Sequence, residues 1–163
     1  MPELSSQELA NTAWAFAKLG VPDRPLLHAI SAQSLRPLPD ASPQELANTA
    51  WSYAKLNVWD APLRHAISAS ALPKLREFAP QNLTNIAWAC STRGFVDGTL
   101  MAAIAEASLK QLHLGNPQNL SNTAWAFAKL SIAHEPLRSA IASASLRIMT
   151  EFDPLGLVNI AWS

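Results

Sequence analysis

Asparagine recurs every 37 residues along the chain, and lysine follows it at a fixed distance in three of four copies. The asparagines are Asn11, Asn48, Asn85 and Asn122. The lysines are Lys18, Lys55 and Lys129. An amide side chain can donate and accept hydrogen bonds, and an ammonium group attracts anions. These residues could therefore contact the phosphates, sugars and base edges of a nucleic acid.

Each column also has a purely structural explanation. The asparagines could form a ladder that bonds to a neighbouring helix or to an indole N–H. The lysines lie where the last turn of a helix is expected, and a cation there complements the helix dipole. A feature that is identical in every copy cannot by itself read a nucleotide sequence.

A third column varies between copies, as a base code would require. It lies three residues before each asparagine, and its members are Glu8, Glu45, Asn82, Asn119 and Gly156. The alternative is that these residue types are preferred in the first turn of a helix, with no ligand involved.

The interval of 37 residues extends to other residue types. Tryptophan keeps it at Trp14, Trp51, Trp88, Trp125 and Trp162. A fixed period of this length indicates stacked structural repeats. We assign residues 1–163 to one repeat array, with full repeats at 5–41, 42–78, 79–115 and 116–152 and the start of a fifth at 153–163.

Two helices are predicted in each repeat. Ser42-Pro43 with Glu45 is a capping box at the start of the first helix, which runs to about Leu56. A short connection precedes the second helix, where Asp23, Asp60 and Asp97 are the expected N-caps. Pro73 favours an end or a bend in that helix. The fold class is therefore all-α, an α-solenoid of 37-residue helix-turn-helix repeats with a right-handed superhelix.

The tryptophans are predicted to be core residues that reach a neighbouring repeat from the border of the apolar face of the first helix. Trp59 has no counterpart in the other repeats, so it either plugs the turn locally or stacks on a base. Cys90 occupies a position held elsewhere by aromatic residues, and we expect it to be a small buried hydrophobic residue.

Composition excludes several classes of function. Twelve basic and twelve acidic residues give a formal net charge of +0, so the chain lacks the strongly basic balance of many nucleic-acid-binding proteins. No apolar run approaches the roughly 20 residues of a membrane span. No zinc-ligand spacing, phosphate loop or nucleophile motif is present, so we expect no metal, cofactor, small-molecule substrate or catalysis.

The segment from Pro43 to Leu56, PQELANTAWSYAKL, resembles the first helix of octotricopeptide and heptatricopeptide repeats. These repeats occur in organellar RNA-binding proteins, including those that end in a RAP domain. The segment is also similar to the repeat domain of a subunit of the RNA-editing substrate-binding complex. The resemblance extends over essentially the whole chain, but a RAP domain is absent from it. It implies RNA binding in a mitochondrion or plastid, without catalytic residues.

The resemblance favours single-stranded RNA as the ligand and a role in RNA processing, stability, editing or translation. The alternative is a protein-interaction scaffold that binds a peptide or a helix in its concave groove. The neutral net charge favours this alternative.

Overall fold

The computed structural model describes residues 4–58 and 61–163, and the regular structure in these ranges is entirely helical. The all-α prediction is confirmed. The α-helices are α1 (Ser6–Leu19), α2 (Arg24–Ser34), α3 (Pro43–Leu56), α4 (Ala61–Ala71), α5 (Pro80–Thr92), α6 (Gly98–Gln111), α7 (Pro117–Lys129), α8 (Glu135–Arg147) and α9 (Pro154–Trp162). Short 3₁₀ turns lie at Leu38–Asp40, Leu72–Glu77, Leu112–Leu114 and Met149–Glu151.

The odd-numbered helices, called the A helices below, begin at intervals of 37 residues. Their first residues are Ser6, Pro43, Pro80, Pro117 and Pro154. The chain forms two compact units, Met1–Phe78 and Ala79–Ser163. In the first unit α1 packs along α3 and α2 contacts α4. In the second unit α7 packs between α5 and α9, and α6 contacts α8.

The A helices begin where the capping residues predict. Ser5 and Glu8 form a reciprocal capping box on α1, and Ser42 and Glu45 form one on α3. On α5 the cap position is Ala79, which has no side-chain acceptor, so only Asn82 contributes, by accepting a hydrogen bond from the Ala79 N–H at 3.1 Å. Local chemistry therefore fixes these helix starts.

The even-numbered helices use more varied caps. Asp23 and Asp97 accept hydrogen bonds from the backbone N–H of the third residue of α2 and α6, Leu26 and Leu100, each at 3.0 Å, as predicted. The predicted cap Asp60 and the unmatched Trp59 lie outside the described residues. On α8 the cap is His134, whose Nδ1 accepts from the Leu137 N–H at 3.3 Å. The sequence did not predict this cap, because histidine is not among the residues preferred there.

Alanines let the A helices approach each other closely. Ala13 of α1 and Ala50 of α3 are almost fully buried, as are Leu9 and Leu46. Tyr53 is 1% exposed and donates a hydrogen bond from its hydroxyl to the Leu27 carbonyl at 2.6 Å. This bond ties α3 to α2 inside the first unit.

Helix α4 ends at Ala71, and a 3₁₀ turn follows over Leu72–Glu77. The end predicted at Pro73 is confirmed. Within that turn Lys74 donates from Nζ to the Pro39 carbonyl at 2.6 Å and to the Ala41 carbonyl at 2.9 Å. These bonds fix the connection that leads into α3.

The tryptophans are not core residues. Trp14 is 41% exposed, so the prediction of an indole buried between repeats is wrong for this residue, and Trp162 on the last helix is 61% exposed. Trp51, Trp88 and Trp125 are only half-buried. The alanines at the helix contact explain the difference, because close helix approach leaves the larger indoles at the edge of the interface. Cys90 is buried, as predicted.

Candidate ligand-binding stripe on the A helices

Each A helix carries a polar and aromatic stripe made of four residues. Successive members are four, three and four residues apart, so they lie on the same face of the helix. The stripe consists of glutamine, asparagine, tryptophan and, in three helices, lysine. Its members are Gln7, Asn11, Trp14 and Lys18 on α1; Gln44, Asn48, Trp51 and Lys55 on α3; Gln81, Asn85, Trp88 and Thr92 on α5; and Gln118, Asn122, Trp125 and Lys129 on α7. None of these side chains is fully buried.

Two lysines of the stripe, Lys18 and Lys129, lie against indole rings. Lys18 Nζ is 5.2 Å from the ring centroid of Trp14 and 5.9 Å from that of Trp51 on the next A helix. Lys129 Nζ is 4.5 Å from the ring centroid of Trp125. An ammonium group within about 6 Å of an indole face is attracted to its π-electrons. The stripe therefore combines cations and aromatic faces at the surface.

The asparagines are accessible along the middle of the stripe. Asn11 is exposed and Asn48, Asn85 and Asn122 are half-buried. Within the described ranges the side-chain amides of Asn11, Asn48 and Asn122 make no hydrogen bond to other protein groups. Asn85 accepts one from Gln81 at 2.8 Å. This arrangement does not match the alternative prediction of a ladder bonded between helices, and RNA contact by the asparagines stays a prediction.

The variable column takes part in helix capping. The carboxylates of Glu8 and Glu45 accept from the N–H groups of Ser5 and Ser42, each at 2.9 Å. The same column contributes Asn82 to the start of α5, as described above. In the capping box of α7, Asn119 Oδ1 accepts a hydrogen bond from the N–H of the N-cap residue Asn116 at 3.3 Å, and the Asn119 amide also donates to Gln81 Oε1 at 3.0 Å. Capping therefore accounts for Glu8, Glu45, Asn82 and Asn119, and a role for this column in reading bases stays a prediction.

The electrostatics of the stripe follow from these contacts. The Ser5 backbone N–H, followed by the Ser5 hydroxyl, holds the pKa of Glu8 below its ordinary value of 4.5. Lys18, Lys55 and Lys129 are exposed and lie in the last turns of their helices, where the dipole also favours a cation. Dipole complementation and ligand contact are compatible roles for these lysines.

Other polar groups lie away from the stripe. His134 Nε2 is 3.6 Å from Glu106, and Arg138 pairs with Glu135 at 2.6 Å. In the described part of the chain no group of three or more histidine, cysteine or acidic side chains is placed to hold a metal ion. No helix in the described ranges is long and apolar enough to cross a bilayer.

The sequence prediction places the tryptophans in the core, whereas the structure places them in the stripe beside the asparagines and lysines. The signal was present, because tryptophan precedes lysine by four residues in three copies, and residues at that spacing are neighbours on a helix surface.

The chain is thus an all-α protein with a recurrent polar and aromatic stripe on its regularly spaced A helices. Residues 1–135 match the model of the RNA-editing substrate-binding complex 6 protein family. Because the match covers most of the chain, the protein belongs to this family. No curated protein shows a significant match to it.

Proposed function

We propose that this protein is a non-catalytic module that binds single-stranded RNA along the stripe of its A helices. The helices would stack as a right-handed α-solenoid of 37-residue repeats of the octotricopeptide or heptatricopeptide type. The family name supports a role in an RNA-editing complex. The resemblance of the repeats supports a mitochondrial or plastid location.

The placement of Lys18 between two accessible indoles carries the proposal. Single-stranded nucleic acids are held by aromatic side chains that stack on bases and by cations that neutralise phosphates. Trp14, Lys18 and Trp51 place both kinds of group within 6 Å of each other on adjacent helices. Exposed amides on the same stripe, such as Asn11, add hydrogen-bonding groups for sugars, phosphates or base edges.

A protein partner is the second candidate, and the surface of α9 favours it. Leu155, Val158 and Trp162 are each more than 60% exposed on this helix. The formal net charge of +0 also provides little general attraction for a polyanion. We place RNA first because the stripe offers both an aromatic face and a cation, which the exposed apolar residues of α9 do not.

Fluorescence anisotropy with a labelled, unstructured RNA of about a dozen nucleotides tests the proposal. Wild-type protein should bind this RNA more tightly than it binds a duplex of the same length, because paired bases cannot stack on the indoles. Replacing Trp14 by alanine should weaken binding about tenfold, since loss of one stacked base costs roughly 1–3 kcal/mol.

Leu146→Ala is the matched control. Leu146 is 68% exposed on α8, so its replacement also removes an exposed apolar side chain, but away from the stripe. It should leave RNA affinity unchanged. Absence of RNA binding by the wild type, or equal affinity of wild type and the Trp14 variant, would contradict the proposal.

A further inference from the structure

A chain of hydrogen bonds between side-chain amides runs from the start of α7 to the stripe of α5. Asn119 Nδ2 donates to Gln81 Oε1 at 3.0 Å, and Gln81 Nε2 donates to Asn85 Oδ1 at 2.8 Å. All three residues lie in the second unit, where α5 packs along α7. This chain, called the amide relay below, connects a capping residue of α7 to the stripe asparagine of α5.

A backbone N–H group fixes the direction of the amide relay. The oxygen and the NH₂ group of an amide side chain can in general exchange places by a half turn. Asn119 is held in one orientation, because its Oδ1 accepts a hydrogen bond from the Asn116 backbone N–H at 3.3 Å, and an N–H can only donate. Asn119 is 6% exposed, so a half turn would bury its NH₂ group against that N–H with little access to water. The NH₂ group of Asn119 must therefore face Gln81.

The same constraint passes along the amide relay to Asn85. Because Gln81 meets an N–H donor from Asn119, it must present its oxygen on that side, which leaves its NH₂ group for Asn85. Asn85 accepts with Oδ1, and its Nδ2 makes no hydrogen bond to another group in the described part of the protein and is not enclosed. Asn85 therefore presents N–H donors at the surface of α5.

The equivalent positions on other A helices impose no such direction. On α3 the position of Asn119 is taken by Glu45, whose ionised carboxylate is an acceptor only and has no N–H to pass on. On α9 it is taken by Gly156, which has no side chain. The stripe asparagines of the preceding helices, Asn11 and Asn122, can therefore turn to meet either a donor or an acceptor.

We infer that Asn85 donates to an acceptor oxygen of the bound RNA, and that Asn119 is the positioning residue that sets this polarity. The inference rests on the proposed function, because it concerns a side chain of the RNA-binding stripe. The acceptor is a phosphate oxygen or a base carbonyl such as O2 or O4 of uracil. An amino group, such as N6 of adenine, would place N–H against N–H at this point.

Asn119→Asp should reverse the amide relay. The new carboxylate still accepts from the Asn116 N–H, which keeps the helix start, but it offers no N–H to Gln81. Gln81 should then donate its NH₂ group to that carboxylate and turn its oxygen towards Asn85, so that Asn85 presents its oxygen to the ligand. Affinity for an RNA of eight uridines, measured by fluorescence anisotropy, should fall roughly fivefold, as expected for the loss of one hydrogen bond.

Asn116→Asp is the matched control for the added charge. It places a carboxylate at the cap position of α7, as Asp153 does on α9, and leaves the backbone N–H of residue 116 in place. This variant should retain the wild-type affinity. Asn85→Ala should lose roughly fivefold in affinity. Adding Asn119→Asp to Asn85→Ala should cost nothing further, because Asn119 acts through Asn85.

A second RNA, of eight adenosines, identifies the source of the acceptor. An equal loss on both RNAs in Asn119→Asp assigns the contact to a phosphate, and a loss confined to oligouridine assigns it to a base carbonyl. If Asn119→Asp binds both RNAs as the wild type does, or if its loss persists in the Asn85→Ala background, the inference is wrong while the proposed function stands.

Exchange of the side-chain amide protons with solvent, followed by NMR on the protein without RNA, tests the amide relay by itself. Hydrogen-bonded N–H groups exchange slowly. The N–H protons of Asn85 should exchange freely in the wild type and become protected in Asn119→Asp. Unchanged exchange would overturn the inference. If the wild type binds neither RNA, the proposed function fails and the RNA contact of Asn85 fails with it, while the exchange rates still report the polarity of the amide relay.

Discussion

Replacing Lys18, Lys55 and Lys129 together by alanine should reduce the salt dependence of RNA binding. All three side chains are exposed, so each can contact one phosphate. For single strands the slope of log affinity against log salt is about 0.7 per neutralised phosphate, so loss of three contacts should flatten it by about 2. Between about 50 and 200 mM salt, the wild type should therefore lose roughly 20-fold more affinity than the variant.

The assay is an anisotropy titration at four or more salt concentrations in that interval, with the slope as the readout. The matched control replaces Arg24, Arg76 and Lys110 by alanine, which removes the same charge from exposed positions outside the stripe. The control should retain most of the wild-type slope. If both triple variants flatten the slope equally, only net charge matters. If neither does, the lysines do not contact phosphate and their positions reflect the helix dipole alone.

Three further changes test the packing and capping described above. Tyr53→Phe should lower the free energy of unfolding by about 1 kcal/mol in urea titrations, because it removes the hydroxyl that donates to the Leu27 carbonyl while the ring still fits. An unchanged free energy of unfolding would show that this hydrogen bond does not stabilise the fold. Lys74→Met should lower the free energy of unfolding by roughly 1–2 kcal/mol in the same assay, since two backbone carbonyls lose a charged donor. A variant more stable than the wild type would contradict this prediction. The pKa of Glu8 is lowered in the fold, so its ionised form contributes stability above the unfolded-state pKa. That contribution should be lost as pH falls through the folded-state pKa of Glu8. The difference in free energy of unfolding between wild type and Glu8→Gln should therefore shrink over the same pH interval. If this difference stays constant with pH, the capping contact of Glu8 does not stabilise the fold.

Much of the fold could be predicted from local chemistry. Ser42, Pro43 and Glu45 specify a helix start through hydrogen bonds and a fixed φ within one turn, so no distant residue is needed. Pro73 likewise ends α4 through its missing N–H and the bulk of its ring. These features depend on neighbours in the chain, which a sequence displays directly.

The site was less predictable, because exposure depends on how closely neighbouring helices pack. A helical wheel places Trp14 at the border of the apolar face, but only the alanine contacts between α1 and α3 decide that its indole lies outside the core.

The position of Lys18 also determines which ligands can displace it. Its ammonium group lies over the rings of Trp14 and Trp51, at 5.2 and 5.9 Å from their centroids. A simple anion would draw the ammonium away and leave both rings facing water, while a neutral aromatic compound would compete with the ammonium for them. We expect a nucleotide to replace both contacts at once, with its base on a ring and its phosphate on the cation. Ligands that carry only one of the two groups should therefore bind this surface less well.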